Sequence, residues 1–577
     1  MFLPTTLKEL KERGWEDLEV ILVTGDAYID SPFVGVAVIG RILLDAGYRV
    51  GVIAQPDLQS AEEIGRLGKP ALFWGVTGGC LDSMVANYTA TKKKRNRDDF
   101  TPGGFNVKRP DRALISYTNL IRSLPGDRVP IVLGGVEASL RRIAHYDYWT
   151  DRVRRAILCD APGDYLLYGM ADRSILKLAD ALRAGADPRT IRGLCYLSKN
   201  KPSGYLELPS FEAASVDKDA FIRMFQLFYE HSDPLTARGL YQKQDSRYLI
   251  QNPPALPLTQ AELDAVHALP FMNEVHPFYR KEGPVKALET IQFSLLTHRG
   301  CYGECSFCSI AVHQGRTVQW RSESSILSEA RRLVAHPKFK GVITDVGGPT
   351  ANMYGFECAR KLLKGTCRGK RCLYPRVCAQ LPVDHGRQKT LLSKLRRLPG
   401  VKKVFVASGI RYDLLLYDRK NGPAYLETVI DHHTSGQMKV APEHTVAHVL
   451  ALMKKPAGGQ LLEFKNVFDR LNRKSRKKQY LTYYFIAAHP GCRERDMEVL
   501  RSFVHRELKI NPEQVQIFTP LPLTYSSVMY HTEKDPFSGK EIFVEKSMAG
   551  KERQKRCLVG GLKDFRKSRR ELPDKVK

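Results

Sequence analysis

The amino-terminal part of the chain alternates short apolar runs with helix-like stretches. The runs predict strands over Val20–Thr24, Val50–Ala54, Ala71–Gly75 and Val129–Leu133. Because helical stretches separate them, the pattern predicts a doubly wound parallel α/β sheet. In such sheets ligands bind at the carboxyl ends of the strands, so Asp26, Gly78, Gly79 and residues 134–137 form a candidate ligand site.

A second alternating series begins near residue 290. Its apolar strand candidates are Ile291–Leu296, Val342–Val346, Val404–Ala407, Met438–Ala441, Tyr483–Ala487 and Val515–Phe518. Helical stretches lie between them; Ser325–Val334 has one apolar face, and Ser322 is placed to cap it. Six strands separated by helices predict an incomplete (βα)6 barrel, although periodicity alone also permits an open sheet.

The two series divide the chain into four predicted segments. Residues 1–230 form the sheet domain, and residues 285–530 form the partial barrel. Residues 231–284 are rich in proline and polar groups, which predicts an ordered connector between the two domains. Residues 531–577 are basic and poor in apolar side chains, which predicts a loosely ordered tail.

Composition narrows the class of protein. The chain has 577 residues, no apolar run long enough to span a bilayer, and an amino terminus without the features of a signal peptide. We therefore expect a cytoplasmic globular protein that does not enter the membrane. The net charge is +28, with basic runs at Arg470–Lys478 and Lys551–Arg570. Such charge makes RNA a candidate partner, but these runs are also typical of solvated helix faces, and no RNA-recognition module is visible.

Three of the 12 cysteines crowd into one loop, at Cys301, Cys305 and Cys308. In a reducing compartment clustered thiols predict metal ligation or catalysis more than disulfides. Structural zinc and ferredoxin-type 4Fe–4S clusters both take four protein ligands. Three thiolates on a 4Fe–4S cluster would leave one iron open to an exchangeable ligand. A structural zinc loop and coincidental thiols are the alternatives.

A second cysteine-rich segment follows, and we call it the four-cysteine insertion. It spans residues 358–378 and contains Cys358, Cys367, Cys372 and Cys378. Its basic side chains would lower thiol pKa values and favour thiolate ligands. The insertion is therefore a candidate auxiliary site for a second iron–sulfur cluster or zinc. Its spacing matches no standard zinc motif, and four unligated thiols are the equal alternative.

The spacing Cys-x3-Cys-x2-Cys, with Phe307 before the last cysteine, resembles the signature of the radical S-adenosylmethionine (SAM) superfamily. The resemblance implies that SAM chelates the open iron and is cleaved reductively to a 5′-deoxyadenosyl radical. Gly347 and Gly348 resemble the double-glycine turn that approaches the methionine end of SAM. Arg411 is a candidate partner of the SAM carboxylate, and Glu443 of its ribose hydroxyls; an ordinary interdomain ion pair is the alternative for each.

Longer strings resemble one family, the YgiQ-type radical SAM proteins of bacteria. They are Val23–Tyr28, Gly134–Trp149, Asp345–Tyr354, Tyr374–Cys378 and Lys439–His444. The similarity extends to about Tyr530 and implies a 4Fe–4S radical SAM fold with a degenerate nucleotide-like amino-terminal domain. It implies no substrate, so both small molecules and macromolecules stay open. An electron donor such as flavodoxin or ferredoxin is an expected partner.

The amino-terminal domain also resembles the cobalamin-binding domains that precede many radical SAM enzymes. Those domains use an Asp-x-His-x-x-Gly motif whose histidine ligates cobalt. The comparable string here is Asp30-Ser-Pro32-Phe-Val-Gly35, and proline cannot coordinate a metal. We therefore expect no cobalamin, with base-off binding without a protein ligand as the alternative.

These observations lead to two hypotheses of different classes. The first is a radical SAM enzyme, including the methylthiotransferase-like variant that modifies RNA or protein, because the turns His489–Gly491 and Thr519–Pro522 resemble that type. The second is a non-catalytic, metal-stabilised nucleic-acid-binding protein, which predicts zinc instead of iron. The double-glycine turn and the serial βα pattern favour the enzyme.

Overall fold

The computed structural model describes residues 1–559, and its amino-terminal half is built on one nine-stranded sheet. From edge to edge the strands are Leu206–Leu208, Leu240–Gln244, Arg247–Gln251, Leu194–Ser198, Tyr165–Leu167, Ile131–Gly134, Phe73–Thr77, Val20–Thr24 and Val50–Ala54. The last five strands of this order pair in parallel, as the apolar runs predict. The predicted α/β class is confirmed.

The apolar runs are continuous because this sheet is covered on both faces. Along Val20–Thr24 all residues are buried; Ile21 and Val23 enter one apolar core, whereas Val20 and Leu22 enter another. Helices cover the faces at Leu7–Glu12, Gly35–Asp45, Ala61–Gly65, Ser83–Asn87, Ala113–Arg122, Gly135–Leu140, Ile157–Asp160, Asp172–Arg183, Phe211–Val216 and Lys218–Glu230. Short 3-10 turns lie at Pro102–Gly104 and Pro188–Thr190.

The segment predicted as a connector, residues 231–284, contributes two strands to this sheet. Leu240–Gln244 and Arg247–Gln251 form a hairpin beside Leu194–Ser198. Their polar sequence hides them from a search for apolar runs, because buried glutamines satisfy their polar atoms inside the sheet domain. Gln242 Nε2 donates to Pro209 O (2.8 Å), and Gln244 Oε1 accepts from Ala156 N (2.8 Å). The rest of the segment holds Gln260–Ala268, Glu274–Val275 and Pro277–Arg280.

The second half contains a series of parallel strands, in which two short pieces, Val342–Ile343 and Asp345–Gly347, follow each other closely. The strands are Ser294–Leu296, Val342–Ile343, Asp345–Gly347, Lys403–Val404, Gln437–Glu443, Tyr480–Ala487 and Gln514–Ile517. Ser294–Leu296 pairs with Asp345–Gly347, and Val342–Ile343 pairs with Lys403–Val404. Gln437–Glu443, Tyr480–Ala487 and Gln514–Ile517 form one ladder, and all of these pairs are parallel. A parallel bridge between Ile410 and Val440 joins the fourth stretch to the fifth. This is the order of the predicted incomplete barrel.

Three short two-stranded antiparallel ladders lie elsewhere among the described residues. They pair Ile29–Asp30 with Glu274–Val275, His145–Asp147 with Arg152–Arg154, and His298–Arg299 with Gln319–Trp320.

Helices separate these strands, and the capped helix predicted from the sequence is present. It spans Glu323–Val334, and Ser322 Oγ accepts a hydrogen bond from Ser325 N (3.1 Å). The remaining helices of this half are Ala287–Ile291, Ile310–His313, Ala359–Lys364, Gly386–Arg396, Tyr412–Tyr417, Gly422–Thr428, Val429–His433, Ala447–Met453, Gly458–Lys474, Glu494–Phe503, Val504–Leu508, Tyr525–Thr532 and Met548–Val559.

The carboxyl-terminal segment starts as an ordered structure instead of a loose tail. Helix Met548–Val559 buries Lys551, whose Nζ donates to Tyr148 Oη (2.9 Å) and Tyr530 Oη (2.7 Å). The rest of the predicted basic run, residues 560–570, lies outside the described residues. Within residues 1–559, no helix combines the length and the apolar character that crossing a membrane would require.

Candidate functional site

The three-cysteine loop, residues 301–308, follows the strand Ser294–Leu296 and the short strand His298–Arg299. Cys301 Sγ accepts a hydrogen bond from Gly303 N (3.4 Å) and lies 3.8 Å from Thr350 Oγ1. Arg411 Nη1 lies 3.7 Å from Cys305 Sγ. The loop therefore contacts the turn after the double glycine and the predicted arginine.

Gly303 lies at the centre of this arrangement. A β-carbon added there would lie 3.1 Å from Arg411 Nη1, 3.2 Å from Cys301 Sγ and 3.9 Å from Cys305 Sγ. Two thiols and a guanidinium therefore converge on a position that has no side chain. A larger residue would occupy the space between the sulfur atoms.

Two thiols of the loop, those of Cys301 and Cys308, are held in their neutral form by their surroundings. Burial, followed by the neighbouring Cys305, raises the pKa of the Cys308 thiol to about 12, and burial also raises the pKa of Cys301. A coordinating metal ion deprotonates such thiols outright. Cys301, Cys305 and Cys308 are each partly exposed, so all three residues remain accessible to a metal group.

The three thiols do not form a ready-made site for a single metal ion. In the part of the chain that the structure describes, no three His, Cys, Asp or Glu side chains converge closely enough to bind one. A tetrahedral zinc ion draws all of its thiolates onto one atom, whereas an iron–sulfur cube holds each thiolate on a different iron. The binding of a cluster by Cys301, Cys305 and Cys308 stays a prediction.

The predicted double glycine lies directly against the start of this loop. Gly347 O accepts a hydrogen bond from Thr297 N (2.7 Å). A β-carbon at Gly348 would lie 2.6 Å from His298 Nε2 and 2.7 Å from His298 O, so a side chain there requires a shift. At Gly347 the nearest atoms would be 3.4 Å away. Within residues 1–559, His298 Nε2 is buried without a hydrogen-bond partner, which leaves a polar atom available at this turn.

Arg411 and Glu443 both lie at the site, and both have ion-pair partners. Arg411 Nε donates to Asp413 Oδ1 (2.9 Å), and its Nη2 pairs with the other carboxylate oxygen, while Nη1 faces Cys305. Glu443 has a positive φ of 67° and lies 3.6 Å from Lys455 Nζ; burial raises its pKa. All four residues lie in the barrel half, so neither pair is the interdomain ion pair that the sequence left open, and the roles of Arg411 and Glu443 toward SAM stay predictions.

Three residues at the site were not singled out from the sequence. His298 and Thr350 contact the double-glycine turn or a thiol, and Asp413 orients Arg411. His298 directly follows the strand that leads into the loop, and Thr350 lies two residues after Gly348. Their position next to recognised motifs is the signal that a search for polar residues at strand ends would use.

The four-cysteine insertion surrounds its sulfur atoms differently. Arg360 Nη1 donates to Cys367 Sγ (2.7 Å), and Lys361 Nζ lies 3.9 Å from Cys372 Sγ. Burial raises the pKa of Cys372 to about 12. The absence of a converged ion site in residues 1–559 includes these cysteines, which does not favour zinc there. The auxiliary metal site stays a prediction.

A cavity of about 580 Å³ separates the nine-stranded sheet from the partial barrel. We call it the interdomain cavity. Strand-end residues predicted to bind a ligand line its sheet side, namely Asp26, Gly79, Gly134, Gly135 and Val136. Pro32, which stands in the place of a cobalt-ligating histidine, lines it as well. On the barrel side its walls include Gly348 and Ser309, which follows Cys308 directly, so the cavity adjoins the thiol site.

Comparison with known sequences gives consistent matches over almost the whole chain. The family model described as "Radical SAM N-terminal" matches residues 2–294. A UPF0313 protein of Fusobacterium nucleatum is 54% identical over 96% of this chain and 98% of its own length. A UPF0313 protein of Thermotoga petrophila is 49% identical over 99% of this chain and its entire length.

Similar solved structures are more distant. The radical SAM methyltransferase TsrM from Kitasatospora setae, solved with cobalamin and a 4Fe–4S cluster, has a TM-score of 0.47 at 15% identity and covers 88% of this chain and 77% of its own. The cobalamin-dependent SAM radical enzyme OxsB has a TM-score of 0.48 at 12% identity and covers 92% and 58%.

Proposed function

The chain belongs to the UPF0313 family of radical SAM proteins, and from this premise we propose that Cys301, Cys305 and Cys308 bind a 4Fe–4S cluster whose open iron takes SAM. Once reduced by an external electron donor, the bound cluster would supply one electron to SAM, whose 5′ carbon–sulfur bond would break to give methionine and a 5′-deoxyadenosyl radical. The enzyme would then start its reaction by abstracting a hydrogen atom from a substrate.

One observation carries this proposal more than any other. The sulfur atoms of Cys301 and Cys305 flank Gly303 on one short loop, together with the Arg411 guanidinium. A structural metal site would close around a fourth protein ligand. Here Gly303 and the Arg411 guanidinium lie beside two of the sulfur atoms, and a guanidinium is a partner for an anionic ligand such as the carboxylate of SAM.

The chain's own residues then bind and orient SAM. Gly347 and Gly348 let the backbone approach the methionine end, because Gly348 already lies in contact distance of His298. Arg411 pairs with Asp413 through Nε and Nη2, so its Nη1 lies beside Cys305 outside that ion pair and can donate to a carboxylate. Glu443, positioned by Lys455, is the candidate acceptor for ribose hydroxyls.

The interdomain cavity supports the same function. Its walls next to the double-glycine turn are mostly apolar, and an apolar surrounding would protect a carbon radical from side reactions with water. The protein contributes orientation and a dry space while the cofactors carry the chemistry.

Anaerobic reconstitution with ferrous iron and sulfide, followed by dithionite and SAM, tests the proposal. We expect 5′-deoxyadenosine to be detected by chromatography with the wild-type protein, and flavodoxin or ferredoxin to replace dithionite as the electron donor. Cys301→Ala should abolish the product. Cys159→Ala, which changes an isolated cysteine of the sheet domain, is the matched control and should retain it. Product from Cys301→Ala would contradict the proposal.

A further inference from the structure

The interdomain cavity has the dimensions of a small-ligand site. Its volume of about 580 Å³ falls within the range of roughly 300–1,000 Å³ that such sites occupy. It lies at the carboxyl ends of the parallel strands of the sheet, where Thr24, Thr77 and Gly134 end their strands. Its opposite wall is made by the partial barrel, at Gly348, Pro349 and Ser309. An occupant would therefore lie beside the proposed SAM site.

Most of the wall is hydrocarbon contributed by both halves of the molecule. The apolar side chains that face one another across the cavity are Val38, Ile39 and Val136 from the sheet half and Leu296, Ile310 and Leu521 from the barrel half. Such a wall binds apolar surface and offers few partners to a polar ligand.

The carboxylates in the lining are each paired with a buried arginine. Arg299 Nη1 donates to both oxygens of Asp172, at 2.9 and 3.0 Å. Asp26 accepts from Arg109 Nη2 at 2.6 Å. The third carboxylate is Asp82, which forms an ion pair with Arg141.

The lining consequently has no cation to offer an anionic ligand. Among the described residues of the wall, Arg299 is the one arginine or lysine, and Asp172 already neutralises it. His313 also lines the cavity; burial lowers its pKa to about 4, so its ring is neutral near pH 7. A charged ligand would lose its hydration here without gaining a counter-ion. Hydrogen-bonding groups are nevertheless present, because His313 and Gln314 add neutral polar atoms to the wall.

We propose that the interdomain cavity is the substrate site of this enzyme and binds an uncharged, predominantly apolar small molecule. The assignment rests on the proposed radical SAM function, because only a radical formed beside Gly348 makes this position useful. In the reaction, a substrate C–H bond breaks homolytically. The hydrogen atom, which carries one electron of that bond, passes to the 5′ carbon derived from SAM and gives 5′-deoxyadenosine, and the other electron stays on the substrate carbon.

Dye binding tests the cavity without a loaded cofactor. Prodan, a neutral naphthalene dye, should bind the wild-type protein at one site per chain, and anilinonaphthalene sulfonate, an anionic dye, should bind at least about tenfold more weakly. Val136→Trp fills the cavity from the sheet side, and Leu521→Trp fills it from the barrel side. Each should weaken prodan binding by at least about tenfold. Val216→Trp is the matched control, because Val216 is 85% exposed.

Circular dichroism and thermal unfolding ensure that the compared variants are folded. Equal prodan affinity in Val136→Trp, Leu521→Trp and Val216→Trp would overturn the assignment, as would tighter binding of the anionic dye. Stoichiometric displacement of prodan by aquacobalamin would show a corrinoid site and would also overturn it.

A labelled dye then tests whether the occupant lies beside the radical. Prodan deuterated at its non-exchangeable carbons, bound to reconstituted enzyme with SAM and dithionite, should give 5′-deoxyadenosine that carries deuterium. Unlabelled 5′-deoxyadenosine from the enzyme with the dye bound would contradict the substrate assignment and leave the radical SAM function intact. If no 5′-deoxyadenosine forms at all, the proposed function fails, and dye binding still decides whether the cavity accepts neutral ligands.

Discussion

Two cysteine-rich segments pack against each other in the barrel half, and they differ in what surrounds their sulfur atoms. Arg371 of the four-cysteine insertion donates to Glu304 O of the three-cysteine loop, and Cys301 and Cys372 pack against the same small apolar cluster. In the loop, two thiols converge on a glycine that leaves space between them. In the insertion, Cys367 contacts an arginine.

The comparison teaches that the number of cysteines is a weaker guide than the space between them. The insertion has more cysteines than the loop and contains Gly365 and Gly369, yet no thiol is among the nearest neighbours of either glycine, whereas two thiols lie beside Gly303 in the loop. A bound cluster needs volume as well as ligands. The difference between the two segments can be tested by removing thiols from each and by filling the space in the loop.

Removing a thiol from the loop should have the largest effect. Cys305→Ala deletes one of three cluster ligands, and we expect the iron content after anaerobic reconstitution to fall from about four per chain to background. The 5′-deoxyadenosine yield should fall with it. Iron analysis and chromatography measure both quantities. A variant that kept its full iron content would remove the distinction between the two segments.

Filling the space at Gly303 should have the next largest effect. In Gly303→Leu the side chain would start 3.1 Å from Arg411 Nη1 and 3.2 Å from Cys301 Sγ, so we expect cluster incorporation to fall several-fold although every cysteine remains. Gly459→Leu is the control, because a β-carbon at Gly459 meets no atom within 4 Å. Equal absorbance of the reconstituted cluster in the two variants would show that the space is not needed.

A side chain at the double-glycine turn should have an intermediate effect. Gly348→Ala places a β-carbon 2.6 Å from His298 Nε2, and such overpacking costs about 1–3 kcal/mol of unfolding free energy. We expect lower stability and weaker SAM binding with an unchanged iron content. Gly347→Ala, whose β-carbon would lie 3.4 Å from its nearest neighbours, is the matched comparison and should change both quantities less. Denaturant unfolding and SAM titration make the measurement, and equal behaviour of the two alanines would disprove the contact argument.

Removing thiols from the insertion should have the smallest effect. We expect Cys367→Ser with Cys372→Ser to leave the iron and zinc contents unchanged, because Arg360 already donates to the Cys367 thiol and Lys361 lies beside Cys372. The free energy of unfolding should change by about 1 kcal/mol. Metal analysis of the reconstituted double variant checks this. Loss of iron or zinc would establish the auxiliary site predicted from the sequence and would place metal in both segments.

Apolar runs located most of the parallel strands, because a strand buried on both faces is apolar along its whole length. Val20–Thr24 is such a strand. Tyr483–Ala487 was also predicted, although the observed strand Tyr480–Ala487 begins earlier and is only partly buried, and the parallel strand Tyr165–Leu167 was missed. The hairpin at Leu240–Gln244 and Arg247–Gln251 could not be found, because its glutamines are buried through hydrogen bonds that only the folded sheet supplies.

The site was predictable where its residues are close in the chain. The three cysteines lie close together, at Cys301, Cys305 and Cys308, and the double glycine follows one βα unit later. The approach of Arg411 to Cys305 spans 106 residues, and the barrel wall of the interdomain cavity faces strand ends of the sheet half. The first contact depends on how the barrel strands pack and the second on how the two halves pack, and local sequence patterns encode neither.

Mössbauer spectroscopy of iron-57-reconstituted protein, before and after SAM is added, tests most directly whether three thiols leave one iron open. We predict the spectrum of a 4Fe–4S cluster in which about a quarter of the iron signal changes on SAM binding, because one iron in four gains a ligand. Identical spectra with and without SAM, or a protein that retains no iron, would contradict the account.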